Sequence, residues 1–333
     1  MIQGILLAIV AGLMLGLYAL PEKFTKDFEF ENTWGLFFAI NTFVIPNIAA
    51  FLLIDGFSEV LFSLPSTVLW GMLVSSFLWG IGVMMWGKAI NHIGLSLGFS
   101  IFIGTVILVG SLLPFIESGL PAKTILVTIL AGLLIVLLGI MANGKAGILR
   151  EQDEANDAGG KKGMLTGIII AVVGGLLATG FSYANAVGAK VISEAVVAQG
   201  NAQWLSSVAI MYIIYMAGGV AIALFFAQQL TVKKLWSKFK TPHFSKNLGL
   251  CTVMGILNFF ASVGFAYAAF KLGEQGNTVG YAIFNTVCVV TAIVTGLITK
   301  EWVKASSKAK NFLYSGLAAM VVGVIVLAVA NSL

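Results

Sequence analysis

Runs of about twenty apolar residues recur along the whole chain, and they constrain the fold more than any other feature of the sequence. A run of that length is what an α-helix needs to cross the hydrocarbon core of a bilayer. The chain is 59% hydrophobic and only 10% charged, with a mean hydropathy of +1.00, whereas a soluble domain is about 25% charged. The short alternating segments typical of membrane β-barrels do not occur here. The sequence therefore predicts an all-α polytopic membrane protein.

Polar segments divide the chain into ten candidate transmembrane helices. They cover residues 2–20, 34–54, 67–88, 94–116, 124–142, 164–189, 204–227, 247–270, 276–299 and 311–331. The longest connection covers residues 143–163. Its high content of charged residues and glycine indicates a solvated linker. It predicts a five-helix repeat over 1–142, a cytoplasmic linker over 143–163 and a second five-helix repeat over 164–333.

The two halves resemble one another in sequence. "GILLAIVAGL" at 4–13 aligns with "GIIIAVVGGL" at 167–176. A second ungapped match pairs Gly94, Gly98, Ile101 and Phe102 with Gly276, Gly280, Ile283 and Phe284. Because each half has an odd number of spans, the second copy must enter the membrane in the opposite direction. Inverted repeats of this kind are typical of secondary transporters.

The basic residues predict the orientation. Of the 19 lysines and arginines, three lie in one set of loops (Lys123, Lys190 and Lys271), and the other 16 lie in the opposite set. Cytoplasmic loops carry the excess of lysine and arginine, so both termini are predicted to lie outside the cytoplasm. The charges fall between the apolar runs, where they orient a membrane protein, so the net charge of +5 does not indicate a nucleic-acid partner.

The acidic residues lie in loops or near span ends. Glu194 and Glu274 come closest to the membrane on the side of the lysine-poor loops. Glu22 does so on the side of the lysine-rich loops. Such carboxylates either form interfacial ion pairs or couple transport to an ion, and we take Glu194 and Glu274 as the candidates for ion coupling. Metal-ligand spacings, phosphate-binding loops and nucleophile motifs do not occur in the sequence, so it predicts no enzyme, no metal and no cofactor.

Uncharged polar residues inside the spans are more informative. Ser96, Ser100 and Gly104 form one stripe along the fourth span; it serves either close helix packing or a substrate site at the repeat interface. Amides and phenols in hydrocarbon need partners or a cavity, and with aromatic rings they suit a neutral ligand with many hydroxyl groups. The candidate substrate-binding residues are Tyr18, Trp79, Ser96, Ser100, Asn185, Tyr267, Tyr281 and Asn285.

Several motifs resemble those of one transporter family. They are "WGIGxxxxG" at Trp79–Gly87, the block Gly94–Ile116, "P-x-K" at Pro21–Lys23, "AG-x-L" at Ala146–Leu149 and "KKG" at Lys161–Gly163. In these the chain resembles the L-rhamnose–proton symporter (RhaT) family of the drug/metabolite transporter superfamily. The resemblance implies symport of a sugar-like substrate with a proton or sodium ion through a central cavity between the halves.

Two alternatives stay open at this point. One is export of amino acids, amines or drugs, as in other members of that superfamily, and the other is a membrane sensor without solute flux. The expected location is the bacterial inner membrane, and a homodimer stays open.

Overall fold

The computed structural model describes residues 2–154 and 164–333 as helices joined by turns, and no strand occurs among these residues. Residues 155–163 of the predicted linker and the side chain of Ser96 lie outside this description. The helices are α1 Ile2–Leu17, α2 Phe30–Ala39, α3 Ile45–Leu53, α4 Phe57–Ser63, α5 Ser66–Ile93, α6 Leu95–Leu112, α7 Phe115–Ser118, α8 Lys123–Glu154, α9 Met164–Ala178, α10 Gly180–Ala198, α11 Leu205–Val232, α12 Phe244–Leu272, α13 Tyr281–Ile298 and α14 Ser307–Ala330.

Eight helical segments of the described residues are long and apolar enough to cross a membrane. One of them, Phe244–Ile298, is 55 residues long and contains both α12 and α13, between which the chain turns at Gly273 with φ of 77°. A shorter apolar helix covers Leu97–Leu112. The prediction of an all-α, multi-pass membrane protein is confirmed. The count of ten crossings and the inverted relation of the halves stay predictions.

A π turn over Ile40–Val44 joins α2 to α3. It ends just before Pro46, which has no backbone N–H and crowds the carbonyl group four residues earlier. A wider turn accommodates this proline without breaking the helix. Asn41 lies in the π turn and is buried, so the distortion places an amide inside the bundle.

The first helix of each half, α1 and α9, crosses two helices of the other half in a corresponding way. α1 packs against α12 and α13, and α9 packs against α5 and α6. A Cβ atom on Gly12 would lie 2.7 Å from the carbonyl oxygen of Phe284, and one on Gly175 would lie 2.9 Å from that of Phe102. Both crossings therefore require glycine. The four residues are the pairs that the sequence matches relate, Gly12 with Gly175 and Phe102 with Phe284.

The helix α8 packs along α14 and continues beyond residue 142 to Glu154. The first part of the predicted linker is thus helical. The extension is held because Ala146 is buried in a small apolar cluster with Trp302 and Ala305. The guanidinium group of Arg150 lies 4.7 Å from the centre of the Trp302 ring.

We predict that Gly175→Leu lowers the thermal stability of the purified protein in detergent. The new side chain would meet the Cβ atom of Thr105 at 2.7 Å as well as the carbonyl oxygen of Phe102, and overpacking of this kind costs about 1–3 kcal/mol. Gly249→Leu is the control, since no described atom beyond the neighbouring backbone of its own helix lies within 4 Å of its Cβ position. Equal melting temperatures for the two variants would contradict the assigned crossing.

Candidate functional site

Four polar side chains meet near the middle of three long helical segments. They are Asn41 in the π turn, Tyr215 of α11, and Asn258 and Ser262 of α12, which together we call the central polar cluster. The Oδ1 atom of Asn258 accepts hydrogen bonds from the Nδ2 atom of Asn41 at 2.9 Å and from the Tyr215 hydroxyl at 2.7 Å. The hydroxyls of Tyr215 and Ser262 are 2.7 Å apart. Since Tyr215 donates its one proton to Asn258, Ser262 donates to Tyr215.

Part of the bonding capacity of the central polar cluster is left over. Among the described residues, the buried Oδ1 atom of Asn41 has no hydrogen-bond partner. Asn258 is half-buried, and its Nδ2 atom donates to no group in that part of the chain. One acceptor and one donor thus remain for a hydroxyl-bearing ligand. The cluster contains no formal charge.

Aromatic rings line one side of this cluster. The ring centroid of Trp79 lies 5.5 Å from that of Tyr215 and 5.5 Å from that of Phe181. Phe181 in turn lies 6.4 Å from Tyr281, whose ring rests against Gly110 of α6, 2.5 Å from the position of a Cβ atom. The structure therefore brings two of the predicted residues, Trp79 and Tyr281, into one aromatic group beside the central polar cluster.

The two predicted asparagines lie close to this group. Asn285 is one turn after Tyr281 and donates to its carbonyl oxygen at 3.0 Å. Asn185 of α10 is buried and donates from Nδ2 to the Oδ1 atom of Asn277 at 2.6 Å, while its own Oδ1 atom has no partner among the described residues. The pair Asn185–Asn277 is thus a second polar site with an unused acceptor.

The remaining predicted residues make contacts outside this aromatic group. Tyr18 packs against Trp34 and Phe37, with centroid distances of 6.0 and 5.5 Å. Tyr267 lies under the Lys271 ammonium group at 5.2 Å. Ser100 is half-buried on α6. Its stripe partner Gly104 faces Leu137 of α8, so the structure directs part of this stripe towards α8.

The two candidate coupling carboxylates, Glu194 and Glu274, are exposed. Their coupling role stays a prediction. Within the described residues, no group of three or more His, Cys, Asp and Glu side chains is placed to hold a metal ion.

Hydrogen bonds and ion pairs join the two halves at one end of the bundle, which we call the lysine-rich end. Lys23 pairs with Glu301, Lys233 with Glu31, and Lys238 with Glu29 at 3.4 Å. Each pair joins a residue before 143 to one after 163. The hydrogen bond from Lys23 holds the pKa of Glu301 below its usual range. The Lys23–Glu301 pair is therefore present at neutral pH and is lost only as the pH falls through this lowered pKa.

Sequence reasoning missed Asn41, Tyr215, Asn258, Ser262 and Asn277. The signal for the amides was present, because Asn41 and Asn258 lie inside predicted spans just as Asn285 does. The comparison of the two repeats singled out polar residues whose counterparts in the other repeat are apolar. It did not select every mid-span amide.

The described helices make this a polytopic membrane protein whose centre holds a neutral polar cluster. Comparison of the sequence with known protein families identifies one family. The family model described as "L-rhamnose-proton symport protein (RhaT)" matches residues 1–332, and the chain belongs to this family of transporters, which are not enzymes.

The chain is also similar to curated relatives named "L-rhamnose-proton symporter". The relative from Yersinia pestis (strain Pestoides F) is 26% identical over 325 residues, which cover 92% of this chain and 91% of the relative. The values are the same for the relative from Yersinia pseudotuberculosis serotype O:3 (strain YPIII). A third, from Yersinia pestis bv. Antiqua (strain Antiqua), is 27% identical over 328 residues.

We predict that Tyr215→Phe lowers the stability of the folded protein by about 1–3 kcal/mol, because it leaves a buried serine hydroxyl without its acceptor and removes a donor to Asn258. Thermal unfolding followed by a thiol-reactive dye measures the change. Tyr314→Phe is the matched control, since Tyr314 is 53% exposed. A loss in both variants alike would argue against a special role of the Tyr215 hydroxyl.

Proposed function

We propose that this chain is a proton-coupled sugar symporter that carries L-rhamnose or a closely related sugar by alternating access. Membership of the L-rhamnose-proton symport family carries the proposal. The named relatives support the same substrate class, because they match the chain over nine-tenths of its length.

The chemistry of the central polar cluster supports a neutral sugar. Rhamnose has several hydroxyl groups and one methyl group, and it carries no charge. The unpartnered Oδ1 atom of Asn41 and the Nδ2 group of the half-buried Asn258 match a hydroxyl group as acceptor and donor. The ring of Trp79 supplies an apolar face for the C–H groups of the sugar. A cationic substrate would need a mid-membrane carboxylate, and an anionic one would need a buried cation.

We assign the substrate site to the central polar cluster together with Trp79, Tyr281, Asn285 and Asn185. Tyr18 lies towards the lysine-rich end of this site, and Tyr267 lies near Lys271 at the opposite end. Ser96 and Ser100 extend the assignment along α6. A sugar entering from one end and leaving at the other would pass these groups in turn.

We further propose ten crossings arranged as two inverted five-helix repeats, as in the drug/metabolite transporter superfamily. The corresponding glycine crossings of α1 and α9 support this arrangement. A second pair of contacts does so too: Gly82 approaches Gly174, and Gly264 approaches Ala11. If the two repeats are exchanged, one of these contacts maps onto the other. Alternating access between two inverted repeats relies on this kind of equivalence.

The lysine-rich end is assigned to the cytoplasm of the bacterial inner membrane, with both termini on the other side, because lysine-rich loops stay cytoplasmic. The ion pairs between the halves then close the cytoplasmic end. Their side chains are about half exposed, except for Glu31 at 14%. Exposed pairs are each worth about 0–1 kcal/mol, so this closure is easily reversed.

Uptake of labelled L-rhamnose into proteoliposomes tests the proposal. We expect accumulation with an inward proton gradient, its loss on addition of a protonophore, and no accumulation with a sodium gradient alone. Unlabelled rhamnose should compete, and amino acids, amines and cationic drugs should not. Competition by an amino acid or amine, with none by rhamnose, would replace the sugar by that class of solute.

The site assignment has its own test. We predict that Trp79→Leu raises the KM for rhamnose about tenfold, because a lost stacking contact of about 1.4 kcal/mol corresponds to that factor. Trp70→Leu is the control on the same helix, since Trp70 is 65% exposed. Initial rates are compared at equal amounts of folded protein. An unchanged KM for Trp79→Leu would remove Trp79 from the site.

A further inference from the structure

We propose that Glu22 is the residue that binds the co-transported proton. The inference rests on the proposed function and names the proton site that the central polar cluster does not supply. Glu22 lies in the 3-10 turn Leu20–Phe24, which follows α1 directly and packs against α12. α1 crosses α13 of the opposite half at Gly12, so this carboxylate is fixed to a crossing of the two halves.

The surroundings of Glu22 differ from those of a surface carboxylate. Its side chain is half-buried, and its Oε1 atom accepts a hydrogen bond from the indole Nε1–H of Trp34 at 2.6 Å. Lys23, the next residue, pairs with Glu301 instead. In the described part of the chain, no lysine, arginine or histidine forms an ion pair with Glu22. A half-buried carboxylate held by a neutral donor gains and loses a proton more readily than one locked to a cation.

The titratable groups that face Glu22 are few. They are the Tyr18 phenol at the end of α1 and the Cys251 thiol of α12, both of which interact electrostatically with the carboxylate. The Tyr18 ring packs against Trp34, the donor to Glu22, at a centroid distance of 6.0 Å, which links the carboxylate to the end of α1.

Eight other described acids are less suited to this role. Glu29, Glu31 and Glu301 each pair with a lysine. Asp27 accepts from Thr241 and faces His243. The carboxylates of Asp55, Glu59, Glu194 and Glu274 are exposed to solvent. An exposed carboxylate equilibrates with the same solution in every state of the transporter, whereas coupling needs a site whose access changes.

The proton step is a simple addition. A proton adds to the Oε2 atom of Glu22 and converts the carboxylate to a neutral carboxylic acid, while Oε1 keeps the hydrogen bond from Trp34. The neutral form can move against apolar surface without the cost of a buried charge, so α1 reorients with the proton and the sugar bound. Loss of the proton at the lysine-rich end restores the carboxylate.

The experiment compares two modes of transport in proteoliposomes that contain the full chain. Rhamnose counterflow needs no proton gradient, whereas accumulation driven by a proton gradient and rhamnose-induced proton uptake, followed with a pH dye, both need coupling. For Glu22→Gln, which keeps an acceptor for Trp34, we expect counterflow to persist while accumulation and proton uptake are lost. Glu59→Gln is the control and is expected to keep all three activities.

Two further substitutions, Glu194→Gln and Glu274→Gln, test the competing carboxylates. Loss of coupling in either of them with normal coupling in Glu22→Gln would overturn the inference. A wild-type protein that shows rhamnose counterflow without proton uptake would contradict the coupling itself, and the role of Glu22 with it. A wild-type protein without any rhamnose transport would contradict the proposed function.

A second variant covers the case in which Glu22→Gln does not fold. Trp34→Phe removes the hydrogen bond that stabilises the charged carboxylate. We expect the pH dependence of rhamnose-driven proton uptake to shift to higher pH, because the carboxyl group then holds its proton more firmly. A structural role of Trp34 alone would lower the rate without moving the pH midpoint, and an unmoved midpoint would overturn the inference.

Discussion

The close approach of helices at glycines holds the two halves of this protein together. Gly12 lets α1 rest on the backbone of α13, and Gly175 lets α9 rest on the backbone of α6. In lipid, helices gain little from apolar burial, so association depends on close packing and interhelical hydrogen bonds. These crossings place α1 and α9 between helices of the opposite half. Every polar group of the centre is positioned relative to that frame.

The central polar cluster shows how this frame limits the chemistry inside it. A buried charge without a partner is costly inside such a bundle, and the cluster is built from amides and hydroxyls. Neutral groups can be left partly unbonded at modest cost, whereas an unpaired charge cannot. The same physical limit that excludes ions from the centre makes it suited to a hydroxyl-rich, uncharged ligand, which agrees with the family to which the chain belongs.

Much of the fold follows from the sequence, and the site follows only in part. Hydropathy locates the long helices because lipid demands continuous apolar surface. It places the end of α8 at residue 142, since charge begins there, but the helix continues because Ala146 and Arg150 pack on Trp302. Repeat comparison finds Asn285, whose counterpart is apolar. It misses Asn258, because the importance of that amide lies in its contacts with Asn41 and Tyr215, and these depend on how helices are rotated about their axes.

The contacts at the lysine-rich end support the proposed proton site in the turn that follows α1. Neighbouring residues of one turn have different tasks: Lys23 ties the turn to Glu301 of the other half, and Glu22 bonds within its own half to Trp34. Opening this end must break the first contact and can leave the second intact. In the proposed cycle the turn moves with α1 and carries the carboxylate from its half-buried position towards the opened end. Release of the proton and opening of this end would then both depend on the position of the same short turn.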